Sequence, residues 1–293
     1  MIRDPVHRLR RHVVALAGTI GERNVWRPDA LHAAADYIRG AFASAGCEVV
    51  AQSCEVHHVR CENLEVTLPG NGCGSEIIVV GAHYDTVRSS PGADDNASGV
   101  AALIEIARAL RPLALRRTVK LVTFVNEEPP FFFTRQMGSW IYASAAHRRG
   151  DDIRLMLSLE MLGYYSDAPA SQSYPPLLRW FYPDRGNFVA FVSNLRSRRA
   201  LDAAVRAFRS RSDFPAQRLA SPGFVPGVAW SDQLSFWRAG YAGVMVTDTA
   251  FYRYAHYHAA SDTPEKIAYP QMARVADGLA QAIGVLAESA DCP

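Results

Sequence analysis

Five side chains that can hold a metal ion stand at or just past the ends of apolar runs: His83, Asp95, Glu128, Glu160 and His258. Imidazole and carboxylate together suit zinc, and ligand type alone also admits manganese or cobalt. His83 closes the run Ile77-Ile78-Val79-Val80-Gly81-Ala82, with Asp85 two residues further on. Glu127 and Glu128 follow the apolar segment 119–125, and Glu160 follows 155–159. Adjacent carboxylates at the exit of a buried strand invite a metal or a shifted pKa. Each residue also has an ordinary reading. His83 could be a core histidine satisfied by a neighbouring carboxylate, and Asp95 could cap a helix opening at Ala97-Ser98-Gly99. The Glu127 and Glu128 pair could be solvated, Glu160 could pair with an arginine, and His256 competes with His258. Residues 262–265 could begin a helix.

The elements that would carry these groups alternate along the chain. Residues 77–82 are too few for a helix and rich in β-branched side chains, which predicts a strand buried on both faces, followed by a turn through Arg88-Ser89-Ser90-Pro91-Gly92. Leu31, Ala35, Ile38 and Phe42 recur at helical spacing within 28–46, with Gly46 as a stop. Segments 47–56 and 63–68 read as strands of an antiparallel edge hairpin, ahead of the Pro69-Gly70-Asn71-Gly72 turn. Further strands are expected at 118–125, 153–159, 188–192 and 243–246. Helices are expected at 97–110, 138–147, 200–208 and 271–288. This alternation implies an α/β fold: a three-layer α/β/α sandwich around a mixed, mostly parallel sheet of about eight strands. Ligands in such sheets bind beyond the carboxyl ends of the strands. Residues 164–186, rich in Tyr, Pro and Ser, read as a long loop over that edge.

The chain has 293 residues, 49% of them hydrophobic, which suffices for one large core. No low-complexity linker divides it, so one domain over 1–293 is expected, with 1–46 as a helical segment packed on it. A net charge of +2 with scattered basic residues argues against a nucleic-acid partner. No segment is long and apolar enough for a membrane span, so no membrane partner is expected. The five cysteines, Cys47, Cys54, Cys61, Cys73 and Cys292, cannot all pair internally and show no Cys-x-x-Cys spacing. A reducing cytoplasm is the simpler reading over secretion. Oligomeric state is not legible.

In joint order, the motifs resemble those of the M28 family of zinc-dependent peptidases. The matching pieces are Gly81-Ala82-His83-Tyr84-Asp85, Gly92 through Gly99, Asn126-Glu127-Glu128, Ser158-Leu159-Glu160-Met161, Ser231-Asp232, and Tyr257-His258 through Asp262-Thr263. The resemblance implies a phosphorylase/hydrolase-like zinc exopeptidase fold and two co-catalytic zinc ions bridged by Asp95 and a water or hydroxide. His83 and Glu160 would hold one zinc, Glu128 and His258 the other. It makes Glu127 the general base, Asp85 the residue that orients His83, and Tyr257 a donor to the substrate carbonyl. A cis peptide after Asp95 is also implied. Two departures stand out: Glu160 where many relatives have aspartate, and a longer stretch at 129–137 carrying Phe131-Phe132-Phe133. Those phenylalanines, with Trp230, Phe236 and Trp237, either fill the core or line the cleft; facing the cleft, they imply an apolar first side chain on a peptide or aminoacyl substrate. The expected activity is therefore a metallo-aminopeptidase. A single-zinc glutaminyl cyclase-like acyltransferase and a metal-free scaffold of the same fold are the alternatives.

Overall fold

The computed structural model describes residues 4–176 and 178–289; Cys292 lies outside the described residues. Eight strands form one sheet: β1 (Val50–Val56), β2 (Val59–Leu68), β3 (Cys73–His83), β4 (Arg117–Phe124), β5 (Asp152–Glu160), β6 (Val189–Ser193), β7 (Ala216–Ala220) and β8 (Gly243–Thr247). They lie in the order β1-β2-β4-β3-β5-β8-β6-β7. The central run β4, β3, β5 and β8 is parallel. The β1–β2 hairpin is antiparallel, as is its junction with β4, and β6 runs against β8. The sheet is thus the mixed, mostly parallel one expected of this sequence.

Among the described residues seven α-helices flank it: α1 (Pro5–Val13), α2 (Pro28–Ser44), α3 (Gly99–Leu110), α4 (Gly138–Arg149), α5 (Arg198–Arg209), α6 (Gln233–Arg238) and α7 (Tyr269–Glu288). Alternation along β3 decides which core each side chain joins. Ile78, Val80 and Ala82 enter the larger core with residues of α2, α3, α5 and α7. Ile77 and Val79 enter the smaller one with Tyr142 and Ala143 of α4 and Phe236 of α6. A strand covered on both faces has no polar side, which is why 77–82 reads as an unbroken apolar run. The helix α1 packs on α3 and α7 through Leu9 and Val13. No helix among the described residues is long and apolar enough to cross a membrane.

The topology places chemistry at one edge. From β3 the chain passes through α3 to β4 on one side, then through α4 to β5 on the other, so β3 lies at a switch point between two crossovers. The carboxyl ends of β3, β4 and β5 therefore open on the same crevice. His83 ends β3, Glu160 ends β5, and Glu127 and Glu128 follow β4 after Val125 and Asn126. The strand β7 and the short helix α6 have no counterpart in the sequence reading: both are brief, and β7 is an edge strand of mixed exposure without an apolar run.

Gly81 shows how tightly this edge is packed. A Cβ added there would come within 2.3 Å of the buried Phe124 ring. Gly81→Ala should lower stability by about 1–3 kcal/mol, the usual cost of overpacking. Urea unfolding checks this, and an unchanged midpoint would show that Phe124 can move aside.

Candidate metal centre

The five expected ligands converge into two groups that share one carboxylate. Donor atoms of His83, Asp95 and Glu160 lie within 4.8 Å of one another, and so do those of Asp95, Glu128 and His258. His83 Nε2 is 3.3 Å from Asp95 Oδ1 and 3.4 Å from Glu160 Oε2. His258 Nε2 is 3.2 Å from both Asp95 Oδ2 and Glu128 Oε2. The two oxygens of Asp95 thus address different histidines. Glu127 belongs to neither group; its Oε2 is 3.8 Å from His83 Nε2. His256 lies apart from both, its Nδ1 2.8 Å from Ser261 Oγ.

Backbone hydrogen bonds from distant segments fix these groups. Asp85 accepts the amides of Glu127 at 3.0 Å and Glu128 at 3.1 Å, tying the two adjacent carboxylates to the end of β3. Its distance to His83 Nδ1 is 3.6 Å, beyond hydrogen-bond range. Val87 donates its amide to Glu128 Oε1. Asp95 caps no helix; its amide and that of Asp94 are received by the Asp262 carboxylate, which also accepts the Tyr254 hydroxyl at 2.7 Å. Asp262 therefore does more than precede a helical turn. The Asp95–Asn96 peptide is cis, and the Asn96 side chain donates to Leu159 O and accepts from Gly99 and Met161. Ser231 donates to Glu160 Oε2 at 2.6 Å and lies 3.0 Å from the Ser158 hydroxyl, holding the longer side chain present at this position. Three non-glycine residues at the site, Asn126 and Met161 just past strand ends and His258 in a turn, have positive φ (59°, 53° and 56°), conformations that packing must hold.

The electrostatics follow from burial and crowding. Burial tends to lower the His83 pKa, but the carboxylates of Glu160 and Glu127, with Asp85 and Asp95, hold it well above its usual value. Burial likewise opposes Asp95 and Glu128, which nevertheless push His258 up to about 10. Asp95, beside both imidazoles, is held below its usual value despite burial. Burial, then the Asp95 charge, raises Glu128 to about 7. Burial, with Glu160, Glu128 and Asp232 nearby, raises Glu127 well above the carboxylate range.

The donor set fits a divalent metal. His83 Nε2 and Asp95 Oδ1 are buried and have no hydrogen-bond partner among the described residues, a costly arrangement unless a cation joins them. No lysine or arginine among the described residues forms an ion pair with Asp95, Glu127, Glu128 or Glu160. Two imidazoles and three carboxylates, one shared, offer each of two ions three protein donors.

Two cavities meet here. The first, about 720 Å3 including open solvent, is lined by Asp95, Glu127, Glu128, Glu160 and His258, with Phe132, Phe133, Trp230 and Tyr257 around them. The second, about 840 Å3 again including open solvent, runs from Glu160 and Tyr257 along Phe188, Val192, Leu219, Val228 and Met245, and the loop over it contributes Gln172, Tyr174 and Tyr182. The aromatic residues divide: Phe132, Phe133 and Trp230 line the cleft, whereas Phe131 is buried on Trp26 and Phe236 belongs to the core. Trp237 is half-buried and donates to Gly243 O. Asn96, Ser231 and Asp262 lie inside motifs recognised from sequence, but their bonding roles depend on tertiary contacts. Arg23, beneath the site, gave no sequence signal.

The sequence model of peptidase family M28 matches residues 63–283. The uncharacterized protein YfbL of Escherichia coli K12 is 39% identical over 281 residues, covering 92% of this chain and 85% of that protein. BSAP, a zinc aminopeptidase from Bacillus subtilis, has the same fold with a TM-score of 0.60 and 21% identity, covering 80% of this chain and 52% of that one. The Fimbriiglobus ruber glutaminyl cyclase aligns with a TM-score of 0.68 and 20% identity over 97% of this chain and 96% of its own. The chain thus spans most of YfbL but about half of BSAP.

A pH dependence follows. In metal-free protein, His258 rises from 6.5 to about 10 on folding and Glu128 from 4.5 to about 7. Raised pKa values stabilise the protonated folded state: the contribution is complete below the unfolded values and is lost as pH climbs through the folded ones. The Tm of chelator-treated protein should therefore fall between about pH 4.5 and 10, first through Glu128 and then through His258, and zinc uptake should release protons. A Tm that rises across this window, or proton-neutral uptake, would contradict this electrostatic reading.

Proposed function

The chain belongs to peptidase family M28, and on that premise we propose that it is a dinuclear zinc aminopeptidase that removes an apolar N-terminal residue from peptides. His83 and Glu160 would hold one zinc, Glu128 and His258 the other, and Asp95 would bridge them. The observation that carries this reading is the division of the Asp95 carboxylate, one oxygen 3.3 Å from His83 Nε2 and the other 3.2 Å from His258 Nε2. Zinc bound there would acidify a water and polarise the scissile carbonyl.

The chain's own groups do the rest. Glu127, in the same cleft but outside both donor sets, takes a proton from the attacking water and returns it to the leaving amine. Asp85 keeps Glu127 and Glu128 aimed by receiving both their amides, and its carboxylate biases the neighbouring imidazole of His83. Tyr257, stacked on His258 with ring centroids 3.8 Å apart and lining both cavities, would donate its hydroxyl to the carbonyl oxygen. The substrate's free amine would lie among the carboxylates near Glu127 and Glu160. The apolar cavity beginning at Glu160 and Tyr257 would take the first side chain, and Val228 and Met245 favour a hydrocarbon over a charge.

A second reading, a glutaminyl cyclase, draws on the end-to-end alignment with the Fimbriiglobus enzyme. Two complete donor sets favour the peptidase, because a single-zinc enzyme leaves one of them without use. Glu127→Gln should lower kcat on a leucyl reporter by about 10²–10⁴-fold with zinc content unchanged, and aspartyl reporters should be poor substrates for the wild type. Mass spectrometry of products from a glutaminyl peptide decides between the readings: free glutamine and a shortened peptide support the aminopeptidase, and a cyclised N-terminus of unchanged length supports the cyclase.

A further inference from the structure

Arg23 lies outside the residues matched by the family model, in the segment between the wide-turn helix Val14–Ile20 and α2. Its side chain is wholly buried. The guanidinium donates to five backbone carbonyls: Tyr84 through Nε at 2.6 Å, Pro91 and Gly21 through Nη1 at 2.6 and 3.1 Å, Leu16 through Nη1 at 3.4 Å, and Gly92 through Nη2 at 2.9 Å. Three of these, Tyr84, Pro91 and Gly92, delimit the loop between the first histidine and the shared aspartate. The backbone of Arg23 adds two bonds to Thr86, donating to its Oγ1 and accepting its amide, each at 3.0 Å. Asn24 Nδ2 donates to Thr86 O.

That loop is part of the metal centre. Tyr84 sits between His83 and Asp85, Val87 donates to Glu128, and Gly92 O accepts the amide of Ala97 just past Asp95. The fit is close at Gly92, where φ is +62° and an added Cβ would come within 2.3 Å of Asp95 O. Burial lowers the Arg23 pKa to about 10, and the carboxylates of Asp262, Asp85, Asp95 and Glu128 offset part of that cost by favouring the charged form.

We infer that Arg23 is a positioning residue for both metal sites: its fork fixes residues 84–92 from beneath, and so sets where His83, Asp95 and Glu128 stand. This rests on the zinc reading above. The shape of the group matters as well as its charge, because a planar guanidinium can reach carbonyls on several sides at once and an ammonium cannot. The N-terminal segment is then a working part of the centre.

The test measures zinc stoichiometry and affinity by competition with a chromophoric chelator, beside the Tm of chelator-treated protein, for wild type, Arg23→Gln, Arg23→Lys and Thr86→Val. Wild type that takes up no zinc overturns the underlying metal reading and not this inference alone. With wild type loaded, Arg23→Gln should bind zinc about 10–100-fold more weakly, the range seen when groups that orient metal ligands are removed, and Arg23→Lys should recover only part of it. Wild-type affinity in a folded Arg23→Gln overturns the inference, and full recovery with lysine overturns the part assigned to the fork. If Arg23→Gln does not fold, Thr86→Val decides, since it cuts one strap and leaves the buried charge: weaker zinc binding at an unchanged Tm supports the inference, and unchanged binding overturns it.

Discussion

Four carboxylates and two imidazoles are crowded into one buried cleft, and the surrounding structure is arranged around the electrostatic cost of keeping them there. Asp95, Glu127, Glu128 and Glu160 are each almost wholly buried. Removing like charges from water is expensive unless opposite charge and hydrogen-bond donors replace it. His83 and His258 supply part of that compensation, each contacting Asp95 and one further carboxylate of its own set. Arg23 supplies a third positive group behind the loop. A pair of divalent ions would complete it, turning a repulsive cluster into a set of ligands.

Geometry is governed by backbone amides more than by side-chain pairs. Asp85 takes the amides of Glu127 and Glu128, and Asp262 takes those of Asp94 and Asp95. Each is an acidic group that binds no proposed metal and instead anchors the stretch that does. Asn96 does the same between Asp95 and the end of β5, and Ser231 holds Glu160. The parallel strands β4, β3 and β5 bring the ends into one plane, and these bonds convert that placement into fixed directions. The apolar cavity beside the centre would then give the proposed hydrolysis its selectivity.

The candidate ligand positions at strand ends were legible because burial leaves a trace in composition. A strand covered on both faces must be apolar throughout, so a histidine or glutamate at its end stands out, as His83 and Glu160 do after their runs. The core strands themselves were legible for the same reason. What sequence left open depends on contacts between distant segments. Asp262 reaches Asp95 across 167 positions and Arg23 reaches Gly92 across 69, and neither has a local pattern. Phe131, Phe132 and Phe133 are adjacent and chemically alike, yet only the turn geometry sends the first into the core and the others to the cleft. Short elements such as β7 and α6 carry too few residues for periodicity to register.

The most direct test of the central claim is anomalous diffraction at the zinc edge from crystals of zinc-loaded protein. The account predicts two zinc peaks, one on either side of the Asp95 carboxylate, the first beside His83 and Glu160 and the second beside Glu128 and His258. A single peak confined to one donor set, or none near Asp95 at saturating zinc, would contradict it.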